Sequence, residues 1–198
     1  MGSAGIVLTA ARWWLEAQAL PRPVRHFRRR AIALAFRSRQ IRPIRFTLPY
    51  RELRILLELT ESRRRIVEIG TGWGWTAAAL VLANPDCTVE TYDPHFARER
   101  SAYLDLLPGD ARTRIQVVAA RGEDAVPRAR DVHALFIDDA HRAAEIVATV
   151  TTWLPALAPG AIIVFDDYGE EYYPEVRAAV AALGVTGHTR GRFFVAHV

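Results

Sequence analysis

Residues 67–77 read VEIGTGWGWTA: a short apolar run carrying an acid at Glu68, then glycines at 70, 72 and 74 with tryptophans at 73 and 75. Glycine has no Cβ, so it tolerates positive φ and lets a ligand or another chain segment come close to the backbone. A bare loop directly after a short apolar run reads as the exit from a buried strand, and TAAALVLA (76–83) reads as the helix that follows. Open α/β sheets bind ligands beyond the carboxyl ends of their strands, so this loop is where a ligand is expected. Its N–H groups and the start of the next helix would suit an anion.

The same rhythm repeats downstream. IVEI is followed by TAAALVLA, TVETYD (88–93) by FARERSAYLDLL, IQVVAA (115–120) by a short helix EDAVPRA, ALFID (134–138) by AAEIVATVTTWLPAL, and AIIVFDD (161–167) by YPEVRAAVAALG. Strand–helix units in series predict a parallel sheet with helices on both faces, because parallel neighbours need crossovers. The near-continuous apolar character of these strands fits burial on both faces. VTGHTR and RFFVAHV are separated only by Gly191, which leaves no room for a helix, so they should form an antiparallel hairpin. The fold class read from the sequence is therefore α/β: a Rossmann-like three-layer α/β/α sandwich, its seven-stranded sheet mostly parallel with a reversed last strand, plus an N-terminal helical extension.

Upstream of residue 65 the pattern differs. Pro21, Pro23 and Pro43 divide the segment into a helix near 6–20, a basic amphipathic helix near 24–40 and an extended piece around 44–48; RELRILLELT (51–60) is a further helix after Pro49. Residues 1–60 are read as a basic helical arm or cap and 61–198 as the ligand-binding domain. A chain of 198 residues, 51% of them hydrophobic, is long enough to bury one substantial core.

All 26 basic residues are arginine, which excludes a lysine base, a Schiff base and a phosphate-loop lysine. Residues 1–65 hold 15 Arg against 4 acids, net +11, and residues 66–198 hold 11 Arg against 18 acids, net −7. Such an arm suits nucleic acid, an anionic surface or an anionic substrate, but a solvated helix face that pairs with the acidic body or a second subunit is the favoured reading. One cysteine, Cys87, allows no internal disulfide. No apolar run reaches the roughly 18 to 20 residues of a membrane span, and the opening GIVLTAARWWLEAQAL carries Arg12 and Glu16 where a signal peptide would be apolar. A cytoplasmic location is expected.

Two phosphate readings of the glycine loop fail. A dinucleotide G-x-G-x-x-G needs glycine where Trp75 stands, and a P-loop needs a lysine. The acid-x-Gly-x-Gly-x-Gly from Glu68 to Gly74 instead resembles the first motif of class I S-adenosylmethionine-dependent methyltransferases. The resemblance implies that Glu68, Gly70, Thr71, Gly72, Trp73 and Gly74 surround S-adenosylmethionine. It further implies that Asp93, ending the second strand, accepts both ribose hydroxyls, that Arg121 and Gly122 border the adenine, and that Asp138 also faces the cofactor. Trp75 is expected to pack into the core behind the loop and Trp73 to cover the ligand or the arm.

The fourth strand ends at Asp138 and the fifth at Asp166 and Asp167. Adjacent strands lie about 4.8 Å apart. Two like charges about 4 Å apart repel by roughly 4 kcal/mol at an effective dielectric near 20. A hard divalent cation relieves that conflict, and Mg²⁺ held by one to three carboxylates fits the inventory, whereas no His/Cys cluster argues for zinc. LFIDDAHRAAEIVATVTTWLPALAPGAIIVFDDY resembles the small metal-dependent O-methyltransferases of methyltransferase family 24, is similar to metal-dependent sugar O-methyltransferases, and resembles catechol O-methyltransferase in the placing of three metal ligands, here Asp138, Asp166 and Asp167. Catechol-type enzymes have a lysine base three residues after the first ligand, where this chain has His141; many relatives read D-G-D-H, and the second Asp, a base in sugar-methylating members, is here Ala140. His141, with Asp139 behind it, is therefore the candidate base.

The resemblance thus implies Mg²⁺-dependent methyl transfer from S-adenosylmethionine to a hydroxyl of a small molecule, with a saccharide favoured and a phenol or catechol as alternative acceptor. The arm, with Trp13, Trp14, Phe27, Phe36 and Phe46, is expected to form the acceptor pocket or a homodimer contact. An RNA methyltransferase using the basic arm is the rival. It is disfavoured because IDDAH lacks the Asn/Asp-Pro-Pro-aromatic motif of base N-methylation and Cys87 is misplaced for a pyrimidine nucleophile.

Overall fold

The computed structural model describes residues 16–95, 98–128, 130–139 and 141–198. The expected helix near 6–20, with Trp13 and Trp14, therefore lies largely outside the described residues. Among the described residues, 16–18 are helical, and α1 (Arg22–Arg37), α2 (Arg42–Arg45) and α3 (Tyr50–Thr60) come next. Then follow β1 (Arg65–Ile69), α4 (Trp75–Ala83), β2 (Thr88–Tyr92), α5 (Arg100–Leu104), α6 (Gly109–Thr113), β3 (Ile115–Val118), β4 (Val132–Ile137), α7 (Ala143–Trp153), β5 (Leu157–Phe165), α8 (Pro174–Leu183), β6 (Gly187–Arg190) and β7 (Phe193–His197).

The strands form one seven-stranded sheet in the order β3-β2-β1-β4-β5-β7-β6. All neighbours from β3 to β5 are parallel, and β7 runs antiparallel to both β5 and β6. The reversed strand is the last in the chain but not at the edge, because the tight turn around Gly191 (φ +64°) folds β7 back between β5 and β6. Three local expectations are corrected. Residues 44–45, the start of the piece expected to be extended over 44–48, belong to the short helix α2; residues 123–128 form no helix; and of the helix expected at 96–107 the described residues show only α5, with α6 starting beyond it at Gly109. Pro108 precedes α6 and starts it afresh, while Pro127 breaks the short 123–128 segment.

Alternate residues of the strands feed two cores. Ile66, Val89, Ala134, Phe136, Ile162 and Val164 pack with α1, α3 and α4, whereas Val67, Ile69, Leu135, Ile137, Ile163 and Phe165 pack with α7 and α8. Helix α1 belongs to the first core: Val24, Phe27, Ala31 and Ala35, spaced three and four apart, are buried while Arg22, Arg29, Arg30 and Arg37 are exposed. Buried Arg28 ties this helix to the turn before α3, donating from Nη1 to Leu48 O at 3.0 Å with its guanidinium 4.6 Å from the Tyr50 ring centroid. Burial lowers the Arg28 pKa against the pull of Tyr50. Arg30 donates to Leu106 O at 2.9 Å, Gln40 donates to Glu99 at 3.0 Å, and Glu58 pairs with Arg190, so the N-terminal segment is tied to the body by both neutral and charged contacts. No helix among the described residues is long and apolar enough to cross a membrane.

Candidate active site

Strand register builds the site. Ile69 pairs with Tyr92 and with Ile137, and Ile137 pairs with Phe165. The next residues along these strands are Gly70, Asp93, Asp138 and Asp166, a row across the carboxyl edge of the sheet. The ladder continues one residue into this row: Gly70 N–H donates to Tyr92 O at 2.8 Å, Asp138 N–H to Ile69 O at 2.8 Å and Asp166 N–H to Ile137 O at 3.0 Å. Between β1 and β4 the chain order reverses direction across the sheet, which is where open sheets form their crevice. A cavity of about 1010 Å³ opens there. Small-molecule sites usually span roughly 300–1,000 Å³, so it has room for a cofactor and a second molecule.

The glycine loop is sterically strict. Gly70 has φ +104°, and a Cβ on it would stand 2.2 Å from Asp138 O. Gly72 is open to the cavity, with nothing within 4 Å of such a Cβ. The expected anion cradle is corrected: Gly70 N–H is spent on Tyr92 O, Gly74 N–H on Thr71 O at 2.7 Å, and Gly72 N–H on Asp93 Oδ2 at 2.9 Å. These donors hold the loop's shape instead of facing a ligand. Below the loop Glu68 is fully buried, its Oε2 accepting from Thr91 Oγ1 at 2.5 Å while Oε1 has no partner. Burial pushes its pKa up to about 8, against the Thr91 hydrogen bond and the charge of Arg100. An unpaired buried acceptor costs free energy until a donor arrives.

Asp93 lines the cavity, but three of its roughly four acceptor positions are occupied. Oδ2 accepts from Gly72 N–H and from Arg100 Nη2 at 2.8 Å, and Oδ1 from His95 N–H at 2.8 Å. Accepting two ribose hydroxyls therefore requires Arg100 or the Gly72 amide to give way. Arg100 also donates from Nε to Gly72 O at 2.7 Å and from Nη2 to His95 O at 3.0 Å, clamping the loop to the β2 tip. Sequence reasoning missed Arg100, since nothing sets it apart from its neighbours in ARERS.

Of the other residues implied for the cofactor, Thr71, Trp73, Arg121 and Asp138 line the cavity, and Gly74 and Gly122 do not. Gly122 serves packing: its Cβ would meet Ile69 at 2.6 Å, and its carbonyl accepts from Trp153 Nε1 at 3.1 Å. Trp75 packs edge-on against Phe27 and Tyr103 at centroid distances of 6.5 and 5.4 Å, behind the loop as expected. Trp73 stacks on Phe46 of the arm at 6.4 Å and 23°, and Phe46 lines the cavity beside Arg42 and Arg45. Phe27 is core rather than pocket, and Phe36 is exposed.

Asp138, Asp166 and Asp167 do converge: one oxygen from each lies within 4.8 Å of the others. The premise of three bare charges is corrected by Arg192, in the β6–β7 turn. Its Nε donates to Asp166 Oδ1 at 2.6 Å and its Nη2 to Oδ2 at 2.5 Å, with Nη1 3.4 Å from Asp167 Oδ1. Asp138 faces Asp166 across the same cluster. Burial first, then Asp166, pushes the Asp138 pKa well above the usual carboxylate range. Asp166 is raised by burial against the pull of Arg192, and Arg192 is held above its ordinary value because the three carboxylates outweigh its burial.

With all three carboxylates ionised, they and one guanidinium carry net −2, the charge one divalent cation balances. Mg²⁺ bonds oxygen at about 2.1 Å, so its ligands lie at most about 4.2 Å apart and the cluster must contract only slightly. Asp138 and Asp167 line the cavity, whereas Asp166 lies behind them and does not. The donor set fits a hard divalent cation at those two residues.

Asp167 has φ +57°, a conformation rare outside glycine that points to a constrained functional position. Its Oδ2 lies 2.8 Å from His141 Nε2, and the imidazole stacks on Tyr173 at 3.8 Å and 26°. An Nε2–H donated to this carboxylate would leave Nδ1 as the ring nitrogen open to a substrate proton. Asp139 lines the same cavity.

A sheet of this order, with a glycine loop after β1 and acids at the tips of β2, β4 and β5, is the Rossmann-like architecture of class I methyltransferases. A family model described as a methyltransferase domain, methyltransferase family 24, matches residues 67–168, and the chain belongs to that family. The chain is 29% identical over 134 residues to a ribosomal RNA small subunit methyltransferase G from Mycolicibacterium gilvum, an alignment covering 67% of this chain and only 58% of that protein. It is similar in fold to CalS11, the TDP-rhamnose 3'-O-methyltransferase of calicheamicin biosynthesis, with TM-score 0.60, 16% identity and coverage of 100% of this chain and 96% of the other. It is also similar to the O-methyltransferase TomG from Streptomyces achromogenes, solved with S-adenosylmethionine, with TM-score 0.57, 22% identity and coverage of 77% and 82%.

Proposed function

We propose that this chain transfers a methyl group from S-adenosylmethionine to a hydroxyl of a small molecule, with a saccharide as acceptor and a Mg²⁺-type cation at Asp138 and Asp167. The observation that carries the reading is the meeting in one cavity of the Gly70–Gly74 loop with an Asp167-bonded histidine and two carboxylates at the neighbouring strand tips. The spent loop amides argue against a phosphate there. CalS11, which covers the whole chain in fold, is a sugar O-methyltransferase, and the stacked Phe46 and Trp73 at the cavity edge offer the flat apolar faces that sugar rings pack on.

S-adenosylmethionine supplies a methyl group already activated by its sulfonium, and a bound divalent cation would lower the pKa of an acceptor hydroxyl. The protein's part is then positioning and one proton transfer. Asp167 fixes the His141 ring and tautomer, and Nδ1 takes the acceptor's proton. Tyr173 limits the ring's motion by stacking, and Trp73 with Phe46 orients the acceptor against the loop.

A ribosomal RNA acceptor is the second reading, favoured by the Mycolicibacterium relative and by Arg42 and Arg45 at the cavity mouth. The test is formation of S-adenosylhomocysteine across a panel of saccharides, phenols and RNA, with and without Mg²⁺. Saccharide-dependent turnover lost on chelation is expected. Turnover with RNA alone, or turnover indifferent to chelation, overturns the reading.

A further inference from the structure

Arg192 occupies a position that the proposed chemistry does not use. It stands in the two-residue turn between β6 and β7, and its backbone is fixed there: its carbonyl accepts from Gly169 N–H at 3.0 Å, and Gly191 beside it has φ +64°. From that turn the guanidinium reaches the tip of β5. Three of the roughly four acceptor positions of Asp166 are occupied. Oδ1 takes Arg192 Nε–H at 2.6 Å and Asp167 N–H at 2.8 Å, and Oδ2 takes Arg192 Nη2–H at 2.5 Å. The Asp166 side chain is 1% exposed and stands behind the cavity wall.

We propose that Arg192 is a built-in cation that withholds Asp166 from metal coordination, leaving a two-carboxylate site at Asp138 and Asp167 that binds divalent cations weakly. Two effects act in the same direction. A bidentate guanidinium binds both oxygens of Asp166 and, with the Asp167 N–H, leaves it one acceptor position behind the cavity wall, and a fixed positive charge 3.4 Å from Asp167 Oδ1 repels an incoming dication. Cation affinity at oxygen sites follows the number of charged ligands and the rigidity of the cage, so the loss of one carboxylate and the presence of one arginine both weaken it. The β6–β7 hairpin thereby sets the cation affinity of a site built on β4 and β5. The inference rests on the metal part of the function proposed above.

The probe is Mn²⁺ alone, with free ion followed by electron paramagnetic resonance and no methyl acceptor present. Arg192→Met is expected to tighten Mn²⁺ binding by about tenfold or more, because it restores a third carboxylate and removes the repelling charge. Asp166→Asn on top of Arg192→Met should return the affinity to within about threefold of the wild type, which assigns the gain to Asp166. Arg192→Lys keeps the charge but cannot span both oxygens, and should gain at least about threefold. It carries the same test if the methionine variant does not fold.

Unchanged or weaker binding in the single variants, a gain that survives Asp166→Asn, or no Mn²⁺ binding by any of these proteins overturns the inference. A wild type that binds Mn²⁺ without any gain in the variants overturns it and leaves the O-methyl reading standing. Failure of every hydroxyl acceptor in the turnover panel overturns the O-methyl reading and leaves the Mn²⁺ result intact.

Discussion

Replacing Glu68 by glutamine removes a charge that the fold does not accommodate. Glu68 is fully buried, and burial raises its pKa from 4.5 to about 8. The native state therefore holds this proton to higher pH than the unfolded chain does. Stability from this group is fully present below pH 4.5, declines as pH rises between 4.5 and about 8, and is flat above. At about 1.4 kcal/mol per pH unit the whole window is worth about 5 kcal/mol, and about 3 kcal/mol of it is already lost by pH 7. Glutamine is neutral throughout, has nearly the same shape and retains an oxygen to accept from Thr91. Denaturant unfolding of both proteins from pH 4 to pH 9, without cofactor, measures the difference. The wild type should lose several kcal/mol relative to Glu68→Gln across that range, with the two profiles parallel outside it. Profiles that stay parallel from pH 4.5 to 9 would refute the account of Glu68 as a carboxyl kept neutral by burial.

Gly70→Ala should destabilise the protein by about 3 kcal/mol or more, since alanine resists φ +104° and its Cβ would stand 2.2 Å from Asp138 O. Thermal unfolding should show a drop of roughly 6–12 °C for a chain of this length, and an unchanged Tm would contradict the close approach. His141→Gln should lower kcat by about 10²- to 10⁴-fold while cofactor affinity stays near wild type; a change confined to KM would remove the imidazole from proton transfer. Asp138→Asn should reduce turnover by at least about 10³-fold with cofactor Kd altered less than about threefold, and calorimetric titration alongside steady-state rates separates the two.

The fold was legible because its signals are local. Alternation of short apolar strands with helices, and the lack of room for a helix at Gly191, forecast a parallel sheet with one reversed strand. Breaks in that pattern were less legible. Pro127 was read inside a short helix, and Ile44 and Arg45 were read as the start of an extended piece although Pro43 sits at an early helical position where proline is tolerated. The site was legible in the residues that follow a strand directly. Gly70, Asp93, Asp138 and Asp166 fall in one row because register carries sequence position into space.

What stayed hidden was delivered from distant turns. Arg192 reaches Asp166 from 26 residues away, and an arginine in a hairpin turn is an ordinary surface residue in any sequence. Arg100 reaches the loop from the start of a helix, and His141 takes its hydrogen bond from Asp167 across the β4–β5 junction. Counting charges along strands found the three carboxylates but missed the cation that pairs with them. The anion-cradle reading failed for a related reason, because it assigned the glycine N–H groups to a ligand before asking what else the fold needs them for.

The central claim is that this cavity moves a methyl group from sulfur to a hydroxyl oxygen. S-adenosylmethionine carrying a ¹³C-labelled methyl group, incubated with the protein, Mg²⁺ and a saccharide acceptor, tests it in one carbon spectrum. The account predicts that the sulfonium methyl signal is replaced, mole for mole with S-adenosylhomocysteine, by a methyl ether signal coupled to a sugar position. A label that stays on sulfur, or that appears on nitrogen or carbon of any acceptor, would contradict it.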